Sequence, residues 1–324
     1  MDKIKHYCGI DVSKNTIDVK SIKTGHKVYN NDQKGFRKLL KENSPVTHYV
    51  MEATGVYHEN LAHFLYNNSR SVSVVNPLVI KRFSQMLLRS TKTDKADAEM
   101  IYKYASKNHP DHWKPQAEYI RACKDLNGVL NLLLKQRTAL LNKQHSLQSK
   151  ACKEKVALRS IKYCLKQLNL QIERIESQME QYIELYEPGL YSRLKTIPGI
   201  GTKTAIFLIV ITDGFRCFES SKQVSSYLGL SPSIMTSGSS IKGQSRITKS
   251  GNGHIRNLLF LSSFTACKYN PACKSLFDRI TQKGKSKKLA LIAVANKLIK
   301  QAFALAKSET CFNPDYVSIH PSMR

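Results

Sequence analysis

Along the first 115 residues, short stretches that alternate apolar and polar side chains are interleaved with stretches whose apolar residues recur every three or four positions. "HYCGIDVSKNTIDVKSI" predicts two strands joined by a turn at Ser13–Asn15, and "HKVYN" a third. "GFRKLLKEN" predicts a short amphipathic helix, "THYVMEA" a strand, "HENLAHFLYNN" a helix and "SVSVVN" a strand before Pro77. A further helix opens near Thr93. A strand hairpin followed by alternating strand and helix indicates an α/β or mixed α+β sheet domain over residues 1–115. From 116 to 189 the pattern changes to nearly continuous helix. Two long proline-free segments with apolar residues at helical spacing predict an antiparallel pair or a coiled coil with another subunit, closed by Pro188–Gly189. Residues 190–310 read as shorter helices, and 311–324, with Pro314 and Pro321, as a loose tail.

Charge sharpens this picture. The chain of 324 residues carries a formal net charge of +27, far more than solubility requires, which favours a polyanionic partner, nucleic acid being the commonest. The excess is uneven, because residues 191–324 hold 20 basic and only 5 acidic side chains. No basic amphipathic helix with a bulky apolar face argues for a membrane surface. The longest apolar run, Ala205 to Ile211, is far too short to span a bilayer. No signal-peptide pattern opens the sequence, and no two of the eight cysteines have CxxC spacing, so free thiols in a cytoplasmic protein are expected.

Four acids stand out in the first domain. Asp11 lies inside an apolar strand, Glu52 ends another before a glycine turn, and Asp94 and Asp97 share one face of the helix that begins in "TKTDKADAEM". Taken singly each has an ordinary explanation: an ion pair, a strand end, or acids favoured by the helix dipole. Together, carboxylates from a first strand, a later strand and a closing helix can meet at one sheet edge and hold two divalent ions about 4 Å apart.

These segments carry a resemblance. "GIDVSKNTIDV", "MEATGVYHENLAHFL" and "KTDKADAEMIYKYA" are similar to the three acidic motifs of the RuvC-like, RNase H-fold domain of insertion-sequence-110 family transposases, whose relatives include Piv-type DNA invertases. The family's Asp–Glu–Asp–Asp set maps onto Asp11, Glu52, Asp94 and Asp97. Further on, "LKTIPGIGTKTA" resembles a helix–hairpin–helix DNA-binding element. There Gly199 and Gly201 would let the backbone approach a phosphate at the next helix start and Lys203 would add charge; a glycine-rich connector without a ligand is the alternative. The segment Tyr227 to Phe260, rich in serine and glycine, reads alone as a surface loop. Its pattern "GLSP…SG…ITKSGNGHIRNLL" resembles the family's second signature, whose serine before a glycine acts as nucleophile. That serine maps to Ser237, with Ser239 and Ser240 close by as alternatives. Thr248 stands where the family often has serine. Lys249 and Arg256 either bind phosphate or are solvated.

The resemblance implies an RNase H-like N-terminal domain, a long helical coiled-coil linker and an all-α basic C-terminal domain. It implies a transposase that cuts and rejoins DNA through a phosphoserine intermediate, assisted by Mg²⁺. Its partners would be DNA, as element ends or junction and as target, and a structured guide RNA, with homo-oligomers, dimeric or tetrameric, bringing two DNAs together. A RuvC-like nuclease or junction resolvase using water, with Ser237 incidental, is the first alternative. A non-catalytic nucleic-acid-binding remnant is the second.

Overall fold

The computed structural model describes residues 6–88, 93–233, 236–237, 241–242, 246–248, 251 and 253–316. The chain falls into two compact units, residues 1–115 and 116–324.

In the first unit the expected strands form one sheet: β1 (Tyr7–Val12), β2 (Thr16–Ser21), β3 (Gly25–Asn30), β4 (His48–Glu52) and β5 (Ser71–Val75), in the order β3-β2-β1-β4-β5. The first three are antiparallel neighbours, whereas β4 runs parallel to both β1 and β5. Period-two alternation divides the sheet. Cys8, Ile10 and Val12 of β1, with Tyr49 and Met51 of β4, face a core closed by Phe36 and Leu39 of α1 (Gln33–Glu42) and Leu61 and Leu65 of α2 (Glu59–Asn67). Tyr7 of β1 and Val50 of β4 face the other core, closed by Ile80 and Phe83 of α3 (Pro77–Met86) and by Met100 and Ile101 of α4 (Asp94–Asn108).

Helix α3 is absent from the pattern-based expectation. Asn76 caps it by accepting from the Leu78 amide, and Pro77 occupies its first turn. Both signals are present in "SVVNPLVI", but a strand end before proline explains them equally well.

The second unit begins with α5 (Glu118–Gln148) and α6 (Lys155–Tyr186), which pack side by side. Only their ends nearest the remaining helices reach the main core, through Ile120, Cys123, Leu130, Ile172, Met179 and Ile183. There follow α7 (Pro188–Lys195), α8 (Thr202–Thr212), α9 (Ser221–Tyr227), α10 (Gly253–Tyr269), α11 (Pro271–Gln282) and α12 (Lys287–Ser308). Helix α8 is apolar all round and correspondingly buried. Helix α12 is apolar and long enough, by length and composition, to cross a membrane. Here Val294, Leu298, Ile299 and Ala302 are fully buried in the core of the unit.

The tail is not uniformly loose: Phe312 packs on that core, and its amide donates to the Thr196 hydroxyl at 2.9 Å. Between α9 and α10 the segment expected as a loop contains two short antiparallel ladders. β6 (Pro232–Ser233) pairs with β9 (Arg246–Ile247), and β7 (Thr236–Ser237) with β8 (Ile241–Lys242).

Candidate active site

Strand register explains why Asp11 and Glu52 meet. Ile10 pairs with Met51 in the parallel ladder between β1 and β4, so one step further along stand Asp11 and Glu52, at the ends of neighbouring strands. By alternation both belong to the face that carries Tyr7, Gly9 and Val50, the face covered by α4.

Helix α4 sits against β1 at closest range. A Cβ added to Gly9 would lie 2.3 Å from the Tyr102 amide nitrogen and 2.5 Å from the Ala98 carbonyl oxygen. Backbone therefore touches backbone two residues before Asp11. Ala98, Ile101 and Ala105 form the buried stripe of α4, and Asp94 and Asp97 continue that stripe into the first turn. Thr93 fixes the start of the helix by accepting a hydrogen bond from the Ala96 amide at 3.2 Å.

Electrostatics record the resulting proximity. The Asp11 carboxyl is pushed up to about 6, first by burial and then by the negative charges of Asp97, Glu52 and Asp94. All four acids of the sequence-derived set thus act on one point. Among the described residues no three His, Cys, Asp or Glu side chains are drawn closely enough together to hold a metal ion, so the four carboxylates stand near one another without forming a closed cage. Hard oxygen donors whose charges mutually repel fit a divalent cation such as Mg²⁺, which would relieve that repulsion.

Asp18, opposite Asp11 in the antiparallel ladder, is a buried acid that the sequence pattern did not single out. It is held by His26, whose Nε2 lies 2.8 Å from its carboxylate. Gly9 was equally unremarked, although a glycine inside a strand often marks a close backbone approach.

In the second unit the glycine-rich element joins α7 to α8. Gly199 has φ +107°, and a Cβ there would lie 2.7 Å from that of Ala266 on α10, so this glycine serves helix packing. Gly201 is the N-cap of α8, and a methyl group added to it would meet no atom within 4 Å, so the helix start is open on that side. Lys203 is paired with Glu176 of α6 at 2.6 Å. Lys203 and Glu176 border a pocket of about 240 Å³ whose walls also include Glu173 and Glu180.

The root of the serine hairpin is pinned from three sides. Arg256 donates to the Leu228 carbonyl at 3.3 Å. Asn296 of α12 donates to the Leu230 carbonyl at 3.4 Å and accepts from the Ser225 hydroxyl at 3.1 Å. Gly251, with φ +73°, leaves room only for hydrogen, since a Cβ would lie 2.2 Å from the Tyr227 carbonyl oxygen. Ser237 lies on β7 opposite Ile241. Ser239, Ser240 and Lys249 lie outside the described residues. The His254 ring packs tilted against that of Phe207 of α8, centroids 4.8 Å apart, and burial lowers its pKa. Asn296 had no sequence signal beyond being a lone amide in the apolar run "LIAVANKLI".

A five-stranded mixed sheet of this order, with acids at the ends of its central parallel strands and on the helix crossing them, makes the first unit RNase H-like. Comparison with known proteins agrees. Residues 8–151 match a family described as Transposase, of the DEDD type found in IS110 elements, and residues 191–278 match "Transposase IS116/IS110/IS902 family". The chain is 34% identical over 325 residues to the pilin gene-inverting protein of Moraxella lacunata, covering 95% of this chain and 98% of that protein. The corresponding protein of Moraxella bovis is also 34% identical, over 326 residues and the same shares. A probable family 20 transposase of Pseudomonas aeruginosa is 24% identical over 299 residues, 82% of this chain and 85% of that protein. The chain belongs to the IS110 family of transposases and is related to the pilin gene-inverting recombinases.

Proposed function

We propose that the protein cuts and rejoins DNA at the ends of an insertion sequence, with Ser237 as nucleophile and Asp11, Glu52, Asp94 and Asp97 as the carboxylates that hold Mg²⁺. The observation that carries this reading is the Asp11 carboxyl sensing all three other acids on one face of an RNase H-like sheet. Mg²⁺ bound there would supply positive charge to a phosphodiester whose negative charge grows as it is attacked. The Ser237 oxygen bonds to phosphorus while one deoxyribose oxygen departs, and the proton lost by the serine hydroxyl is made good on that oxygen, leaving a free deoxyribose hydroxyl. The phosphoserine ester conserves the energy of the broken bond, so a second deoxyribose hydroxyl can later displace the serine and reseal a strand. Arg256, Asn296 and Gly251 set the root from which the Ser237 strand projects.

The serine and the carboxylates belong to different compact units, and cleavage needs both. Assembly of two or four chains is part of the proposal. It is supported by the exposed apolar side chains Leu132, Leu141, Tyr163 and Leu170 on α5 and α6. A groove of about 560 Å³ between these helices, lined in part by Leu140, Tyr163 and Leu168, adds to that support. Guidance by a structured RNA from the element suits a strongly basic chain whose sequence has no evident base-reading motif, and action in the cytoplasm accords with its free cysteines.

A trapping experiment tests the chemistry. The chain is incubated with Mg²⁺, labelled junction DNA, target DNA and RNA transcribed from the element's end, then denatured and examined for DNA bonded to protein. An adduct seen with the natural chain and absent from Ser237→Ala is expected. Cut DNA with no adduct in either protein would transfer the chemistry to water as nucleophile.

A further inference from the structure

The loop that follows Glu52 presents two large apolar side chains to solvent, Val56 at 68% and Tyr57 at 41% exposure. This loop is not slack. The Thr54 amide donates to the Glu52 carbonyl at 2.8 Å, and the Glu59 amide to that of Val56 at 3.2 Å. Asn31 donates to the carbonyls of both Ser13, at 2.7 Å, and Tyr57, at 3.3 Å, tying the loop to the turn beyond Asp11. Gly55 has φ +53°, and a Cβ added there would meet the Tyr57 ring at 3.9 Å. An exposed ring on a braced loop that starts at Glu52 belongs to none of the apolar cores.

The exposed Glu59 closes the loop, and cationic groups stand on the neighbouring connection. Ala53 still pairs with Val75 at the end of β5, from which α3 departs with Leu78 and Val79 exposed and with Lys81 and Arg82 on its solvent side. Apolar and cationic groups of α3 therefore follow from the sheet edge at which Glu52 pairs with Val75. A nucleic-acid strand has the matching chemistry, since each phosphate carries a flat base one sugar away. Bases stack on aromatic side chains without regard to sequence.

We propose that Tyr57, with Val56 beside it, is a stacking platform for an unpaired DNA base adjoining the phosphate held at the carboxylates. This rests on the carboxylates being the site of strand cleavage. An aromatic platform there holds the strand in the open, unstacked form that exposes its phosphate to attack.

The test uses the full chain with Ca²⁺ replacing Mg²⁺ to prevent cutting, and single-stranded DNA from the element's end carrying 2-aminopurine beside the cut position. The natural chain is expected to quench the probe. Tyr57→Ala should leave it bright and bind the strand about tenfold more weakly, while Tyr57→Phe and Tyr57→Trp bind normally and intact duplex is unaffected. Equal binding by Tyr57→Ala overturns the platform, as does failure of Tyr57→Phe, which would make the hydroxyl the operative group. A loss confined to an RNA strand of the same sequence would assign the ring to RNA, and a loss confined to a protein contact would do the same for a partner; either overturns it. Persistent cleavage by Asp11→Asn under Mg²⁺ would instead remove the carboxylate assignment, an outcome separable from the binding comparison.

Discussion

Asp11 illustrates the cost of burying a carboxylate and setting like charges near it. A carboxyl whose folded pKa lies above its unfolded value binds more protons in the folded state, so it lowers stability as pH rises through the interval from about 4 to 6. Above that interval the full penalty is present unless a cation offsets it. Asp11→Asn is therefore expected to abolish strand cleavage yet stabilise the metal-free protein at pH 8 by about 1 kcal/mol, once the displacement is discounted for solvent screening. Thermal denaturation without Mg²⁺ across pH 4–8 checks this: the natural chain should lose stability relative to the variant as pH rises. A variant that is less stable at pH 8 would show that the four acids do not repel one another as described.

At the scale of elements, the contact between α4 and β1 sets where the acids lie. Gly9→Ala inserts a methyl group at 2.3 Å from backbone, which cannot rotate away, and should cost at least about 2 kcal/mol. Chemical denaturation would measure the loss, and cleavage should fail even where the chain still folds, because Asp94 and Asp97 move with the helix. Asn296→Ala should cost about 1–2 kcal/mol by leaving the Leu230 carbonyl and Ser225 hydroxyl without that partner, and should reduce the covalent adduct more than DNA binding. Gel-shift and trapping assays on the same preparation separate the two effects.

Much at this scale was legible in the sequence. The five strands of the sheet follow from alternation, and α4 from its Thr93 cap and apolar spacing. Helix α3 was hidden because Asn–Pro ends a strand as readily as it opens a helix. The ladders around Ser237 were hidden because strands of two residues contain too few positions for a period to appear. The proximity of Asp11 and Glu52 could be anticipated only as a pattern of element types; its cause, the parallel pairing of Ile10 with Met51, is a long-range register that spacing does not disclose. Lys203 looked like a bare cation, but its partner Glu176 lies on a helix far away in sequence.

For the whole molecule, a net charge of +27 makes phosphate contact the dominant source of affinity. Binding of junction DNA should weaken by about 10³-fold or more between 50 and 200 mM salt if six or more phosphates are neutralised, which titrations at several salt concentrations would show. A flat dependence would mean that the excess of lysine and arginine serves something other than nucleic acid. Sequence discrimination should survive that titration better than affinity does, because contacts to bases release few counterions.

Helix α12 has a consequence for how the protein is made. Val294, Leu298 and Ala302 lie at the centre of the second unit, yet the ribosome adds them after every other helix of that core. The two cores of the first unit are built, among the described residues, from 7–113, which leave the ribosome early in synthesis. A gene copy interrupted by a stop codon before Lys287 would thus yield a folded carboxylate unit attached to helices deprived of their keystone. On the proposed chemistry, decay of a mobile element would in this way begin with loss of the Ser237 reaction and spare the acidic sheet.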